Sequence, residues 1–594
     1  VTHDPHSYAR PHEARVTHVA LDAAIDFEAR RLRGRAVLHL DVAPGAAEVV
    51  LDTRRLHVHG VEDAEGRPLA FALGEPDPVL GRALRVALTP GTARVVVEYE
   101  TDPEGDGLFW LRPEQTAGGR APFVFSQGQA ILTRSWLPTQ DSVGLRQTYE
   151  ARITVPEGLT AVMSAEHLTP EGVAVDGGRR FDFRMPQAIP TYLIALAAGD
   201  VAFRPVGART GVFAESAVVE RAREEFAELE GMLAAAESLA GPYRWGRADV
   251  LVAPPAFPFG GMENPRLTFV SPTLLAGDRS LTTVVAHELA HAWPGNLVTP
   301  ATWNDFWLNE GFTVYLELRI NEALYGPERA AMLEVYGHQA LAGEIERLGA
   351  DSPDTRLYLD LVGRDPAVAV TPVPYVKGAA FLRALEHAVG RERFDRWLRS
   401  WFDRNAFATV TTAQLARDLR ENLFVGDAEA ERRVDLDRWL YAPGLPDGAP
   451  RPTSAVLARV EARARAFAGG ETPAHALETQ GWSPQEWRHF LNVLPRQLPP
   501  ERLRELDGAA GLSATENAEV KFAWLRLAVH ARYEPALPAL ERFLTSQGRG
   551  KFVKPLYAAL VASEWGAREA RRIYRSARPL YHAAVAADLD ALVR

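Results

Sequence analysis

The chain contains no cysteine in 594 residues. Disulfides, thiolate ligands and a cysteine nucleophile are therefore excluded, and any bound metal must be held by histidines and carboxylates. Positive charge is also short: 66 Lys and Arg against 77 Asp and Glu leave a formal charge of -11. A nucleic-acid partner needs a basic surface to neutralise phosphates, so none is expected. No apolar run reaches the roughly 20 residues that span a bilayer, so a soluble protein without a membrane partner is expected. The visible start, Val1-Thr-His-Asp-Pro-His6, has no basic stretch leading into an apolar one. A cytoplasmic setting is the expectation, with a periplasmic or secreted one open if an export signal was removed. Repeats of fixed period are missing too.

What is present is ordinary globular material, 47% apolar and 24% charged, enough for several cores. Residues 1–199 read as a β-rich domain. Ala36–Val42 and Leu84–Leu88 alternate apolar and polar residues, and the β-branched run Arg94–Glu100 follows a Pro90-Gly91 turn. His57 and His59 share a strand face at this spacing, more simply surface histidines than metal ligands. Residues 200–441 read as a mixed domain, with Arg221–Leu239 at helical spacing. The Pro/Gly-rich stretch 442–453 reads as a linker. Residues 454–594 read as all helical, with Val520, Trp524, Leu527 and Ala528 on one apolar stripe. The fold class is a multidomain α+β chain.

The chemistry is concentrated in His287-Glu288-Leu289-Ala290-His291, inside a helix-like run with Thr282-Thr283-Val284-Val285 leading in. Histidines four apart on a helix point the same way and can reach one ion, while Glu288 lies beside a water rather than on the metal. Two incidental histidines on a buried helix would look the same. The continuation from Trp303 to Glu317 decides against that. Eighteen residues separate His291 from Glu310, a carboxylate at the start of a second helix that supplies a third ligand. His287, His291 and Glu310 are thus the expected set for one Zn2+ per chain. Glu317, seven residues on, is either an outer acceptor for a ligand imidazole or a structural carboxylate.

Upstream stands Gly260-Gly-Met-Glu-Asn264. Together with the zinc signature it resembles the aminopeptidase N superfamily of gluzincins, within it the branch of the leukotriene hydrolase/aminopeptidases and their bacterial relatives. Ser126–Ala130, Leu274–Asp278, Gly295–Val298, Val373–Gly378 and Gly548–Pro555 look similar and occur in the same order. The resemblance implies a saddle-like β domain, a thermolysin-like catalytic domain and a helical-repeat-like tail. It further implies a zinc metalloaminopeptidase acting on short peptides; a monomer is the separate expectation for its assembly. Glu263 matches the glutamate that anchors the substrate's amine, with Gln129 assisting. Gly260 and Gly261 let the backbone approach an extended substrate. Glu288 is implied as general base and Tyr375 as the phenol donating to the oxyanion. Arg549 and Lys551 match a pair that grips a terminal carboxylate.

Three positions depart from the pattern. Ala367 replaces an aspartate that the branch uses in lipid epoxide hydrolysis, Val370 replaces a tyrosine beside that pocket, and Phe259 replaces another. Epoxide hydrolysis is disfavoured accordingly. Pro294, just beyond the ligand helix, is also unusual. An endopeptidase is disfavoured by Glu263, and a non-catalytic zinc-binding interaction protein by Glu288 and Tyr375.

Overall fold

The computed structural model describes residues 3–281 and 283–593. Val1, Thr2, Thr282 and Arg594 lie outside the described residues, so the lead-in to the ligand helix is seen from Thr283 onward.

Three sheets build the first part of the chain. In the largest, Ala14–Asp26 pairs antiparallel with Arg31–Val42 and parallel with Arg146–Val155. Its alternation is plain in Val19, Leu21, Ala23 and Ile25, all buried. A register shift between Val16 and His18 lets Val16 face the same core across an odd spacing. Arg94–Thr101 lies between Arg31–Val42 and Leu56–Asp63, and Val95, Val96 and Val97 are all buried. A four-stranded sheet ends with Leu196–Gly199, and Val201–Pro205 opens a different, five-stranded sheet.

This five-stranded sheet positions the site. Thr210–Glu215, Ala248–Val252 and Leu267–Val270 run parallel, each mostly buried. The short strand Gly261–Met262 joins antiparallel at the edge. Helices then dominate. Arg221–Leu239 is not one helix but two, Val219–Glu225 and Leu229–Ala240. The break lets Phe226 and Leu229 both turn inward, and buried Glu225 accepts the backbone N–H groups of Gly277 and Arg279.

One apolar core runs through the β-rich and central parts; the tail has its own, from Val460 to Val593. A small cluster of Met332, Val456 and Leu457 joins the tail to the helix Pro327–Leu348. The tail's helices stack in successive pairs, and the stripe Val520, Trp524, Leu527 and Ala528 is buried within them. Residues 442–453 are irregular but pinned. Arg438 donates to the carbonyls of Pro443 and Leu445, and Lys377 Nζ to that of Ala442. No helix among the described residues is long and apolar enough to cross a membrane.

Candidate active site

His287 projects from the helix Thr283–Ala290, and His291 sits at its end, its N–H still bonded to the His287 carbonyl at 3.3 Å. Glu310 is in the first turn of the helix Trp307–Tyr325. Its Oε2 lies 3.5 Å from Nε2 of His287 and 3.5 Å from Nε2 of His291. Ligand atoms about 2.0–2.2 Å from a tetrahedral ion sit roughly 3.3–3.6 Å apart, so the spacing fits zinc. Glu310 Oε2 is moreover buried without a hydrogen-bond partner, which a buried carboxylate tolerates poorly unless a cation satisfies it.

The outer contacts set both tautomers. His287 Nδ1 donates to Glu317 Oε2 at 3.0 Å. The Thr313 hydroxyl spends its proton on the Asn309 carbonyl at 2.8 Å, so at 2.9 Å from His291 Nδ1 it can only accept. Both imidazoles therefore carry a proton on Nδ1, and Nε2 faces Glu310, open to a metal ion or to a second proton. Electrostatics agrees. Burial disfavours charge on both rings, yet Glu310, Glu317 and Glu288 raise His287 and Glu263 and Glu310 raise His291. Burial likewise opposes charge on Glu310, but the two imidazoles hold it well below the usual carboxylate range. The pocket attracts a positive charge.

A second set, Glu263, Glu288 and His291, also converges, its atoms within 4.8 Å of one another. Of its two carboxylates, Glu263 is tied to other partners. Glu263 Oε1 accepts from Tyr192 Oη at 3.1 Å and lies 3.5 Å from Asn309 Nδ2, and its carbonyl accepts from Asn296 at 2.8 Å. Glu288 is buried, and its carboxyl is pushed up to about 7 by that burial, with the two imidazoles pulling the other way. It is held from behind by the edge strand: a β-carbon on Gly261 would lie 2.3 Å from Glu288 Oε1. Tyr375 stands in the π-turn Val373–Lys377, its ring nearly parallel to that of His287 at 6.1 Å. Burial, then the charges of Glu310, Glu263 and Glu288, raise its phenol well above the ordinary value, so it remains a proton donor.

Arg549 reaches this site from the tail. The N–H groups of Gly548 and Gly550 bond to the carbonyls of Pro255 and Pro258 at 2.8 and 3.1 Å. The loop so docked lays the Arg549 guanidinium against Gly260, where a β-carbon would come within 2.7 Å of Nη2. Arg549 Nη1 donates to Thr273 Oγ1 at 3.1 Å, and its Nε has no partner. Lys551 pairs with Glu519. The Gln129 side chain carries a buried Nε2 without a partner.

Residues 227–438 match the peptidase family M1 domain, 5–193 the peptidase M1 N-terminal domain, and 482–592 the leukotriene A4 hydrolase C-terminal domain. This chain belongs to peptidase family M1. It is similar to leukotriene A-4 hydrolase of Xenopus laevis, 37% identical over 98% of this chain and 97% of that one. Aminopeptidase B of Mus musculus is 37% identical over 93% and 90%. The solved structure of yeast LTA4 hydrolase with bestatin superposes with a TM-score of 0.93 at 30% identity, covering 100% of this chain and 97% of that one. The chain is a zinc metallopeptidase with the three-part architecture of that structure.

In this M1 enzyme several contributors have no motif of their own. Thr313 lies one turn beyond Glu310 on the same face, which is the only signal that could have found it. Tyr192 comes from the β-rich part, where nothing nearby in sequence marks it. Asn309 sits within the signature, next to the ligand. Pro294, the odd residue after the ligand helix, has its carbonyl 3.3 Å from His291 Nδ1. Phe259 is exposed, with ring contacts to Phe109 and Phe257. Ala367 and Val370 are exposed, on and just after the turn Pro366–Ala369. His57 and His59 are exposed, 3.9 Å from Asp102 and Glu100 respectively, and join no metal-holding group among the described residues.

Proposed function

We propose that this zinc aminopeptidase removes single residues from the free amino ends of short peptides, holding the substrate at both ends. The observation that carries the reading is Glu263: a buried carboxylate within 4.8 Å of the Glu288 and His291 atoms. A carboxylate there would bind an α-ammonium and set its distance to the scissile carbonyl, allowing one residue per cut. The Gln129 amide, with no partner of its own, would turn to assist it. The edge strand Gly261–Met262 has one side unpaired, and an extended peptide could add along it, Gly260 and Gly261 leaving room.

His287, His291 and Glu310 would hold the zinc, which when bound would supply Lewis acidity toward a carbonyl and a water. Glu288 takes the proton from the attacking water and returns it to the leaving amine. Tyr375 donates its phenol to the carbonyl oxygen as charge develops there, a contribution of roughly 3 kcal/mol by analogy with other oxyanion donors. Arg549 and Lys551 would bind the terminal carboxylate of a short peptide. Epoxide hydrolysis is not proposed, because alanine at 367 supplies no carboxylate. The enzyme is read as a cytoplasmic monomer; light scattering on the purified protein tests the monomer.

The test is a panel of aminoacyl-chromophore substrates, free and acetylated, before and after chelation and zinc return. Activity requiring both free amine and zinc supports the reading. Cleavage of acetylated substrates would overturn the role of Glu263. Glu288→Gln should keep zinc by elemental analysis and lose more than about 99% of kcat, as general-base removal does.

A further inference from the structure

Near Arg549 a group of charges from three elements meets in a way the reaction does not require. Glu519 stands in the first turn of the helix Ala518–His530. The cap of that helix, Asn517, is tied to Ser280 Oγ at 2.7 Å, so the position of Glu519 relative to the catalytic part is set. One oxygen of Glu519 accepts from Lys551 Nζ and the other lies 3.4 Å from Arg488 Nη1. Arg488 is itself seated over Tyr336 of the helix Pro327–Leu348, its guanidinium carbon 3.9 Å from the ring centre. Burial opposes charge on Glu519, but Lys551, Arg488 and Arg549 overcome it and hold the carboxyl down at about 2. It is an anion at any working pH.

The two cations assigned above to the substrate's carboxylate are therefore not equivalent. Arg549 has no ion-pair partner among the described residues and keeps a free Nε. Lys551, whose side chain is 48% exposed, already holds a carboxylate. A terminal carboxylate arriving at Arg549 meets Lys551 with its charge compensated. We propose that Glu519 is a specificity-determining residue that competes with the peptide's terminal carboxylate for Lys551, leaving Arg549 as the principal reader of the substrate's carboxyl end. The effect is to keep the grip on free-acid peptides loose. This rests on the assignment of Arg549 and Lys551 to the terminal carboxylate.

The experiment compares kcat/KM for a tripeptide as free acid and as C-terminal amide. Glu519→Gln keeps an oxygen to accept from Lys551 while removing the charge. The acid-to-amide ratio should rise at least fivefold, through KM, and adding Lys551→Met to Glu519→Gln should abolish the gain. Should Glu519→Gln fold poorly, Glu519→Asp, which keeps the charge but withdraws it from Lys551, should raise the ratio by a smaller factor. A ratio that falls would mean that Glu519 orients Lys551 as a ligand, and the proposal is overturned; an unchanged ratio overturns it as well. A wild-type enzyme indifferent to the amide, together with an Arg549→Gln variant of unaltered ratio, would instead remove the terminal-carboxylate reading itself. Acid preference in the wild type that Glu519→Gln leaves alone removes only the role of Glu519.

Discussion

At Gly261 the space that any other side chain would need is taken by Glu288, whose Oε1, Cδ and Cγ lie 2.3, 2.6 and 2.7 Å from where a β-carbon would stand. Gly261→Ala should push that carboxylate out of line while the fold absorbs the change, since the end of a flexible side chain is what must yield. A kcat reduced at least tenfold, with zinc content unchanged and melting within about 3 °C of wild type, is the expected result. Thr313 acts on the other side of the site. Thr313→Val keeps the shape but removes the nearer of two acceptors for the His291 Nδ1 proton, leaving only the Pro294 carbonyl at 3.3 Å, and zinc affinity should fall by about 10–100-fold in a chelator competition assay. The His-Glu-x-x-His spacing was readable because helical periodicity alone puts His287 and His291 on one face. Thr313 and Tyr192 were not, because a hydroxyl becomes a partner only when the fold sets it within bonding distance.

The π-turn Val373–Lys377 shows how an element can carry a cost beside the residue it presents. Two positions after Tyr375, the Lys377 ammonium is wholly buried, with Nζ bonded to the carbonyl of Thr355 at 2.8 Å and to that of Ala442 at 3.1 Å. Burial, helped by Arg438 and Arg356, pulls its pKa down to about 7. A lysine depressed in the folded state binds its proton more tightly when unfolded, so stability rises with pH between about 7 and 10.5, the folded and unfolded values. Lys377→Met removes that dependence. The melting temperature of the wild type relative to Lys377→Met should therefore climb as pH goes from 7 to 9, and a flat difference would argue against a buried ammonium. The strand Arg94–Thr101 and the helix Ala518–His530 were legible from local pattern. The split of Arg221–Leu239 into two helices was not, because helical spacing continues across a turn that only the burial of Phe226 and Leu229 explains.

The whole molecule closes on itself through its carboxyl end. Arg112 and Gln115 of the β-rich part bond to the carbonyls of Pro579 and Tyr581 at 2.9 Å each. His582 stacks on Phe109 at 4.0 Å, and Phe109 in turn meets Phe259, next to Gly260. His582 Nδ1 also accepts the Ala584 N–H at 3.2 Å, which only an unprotonated Nδ1 can do. Burial lowers this histidine to about 4. The folded value lies below the unfolded one near 6.5, so its contribution is intact above 6.5 and declines as pH falls toward 4. His582→Phe should keep the stack and lose the dependence, so its melting temperature should fall less than that of the wild type between pH 6.5 and 5.

The candidate metal-binding set, the place of Glu288 beside it and the helical character of the tail were legible in the sequence alone. Each rests on a short-range period, 3.6 or 2, or on ligand types that no other chemistry in a cysteine-free chain could replace. What only the tertiary structure decided are the relations between segments far apart: Thr313 accepting from His291, Tyr192 bonded to Glu263, Gly261 against Glu288, and Glu519 beside Lys551. These contacts join residues 22, 71, 27 and 32 positions apart. Local periodicity carries no information at that range, because a hydrogen bond or a steric stop depends on distance in space, and packing sets that distance.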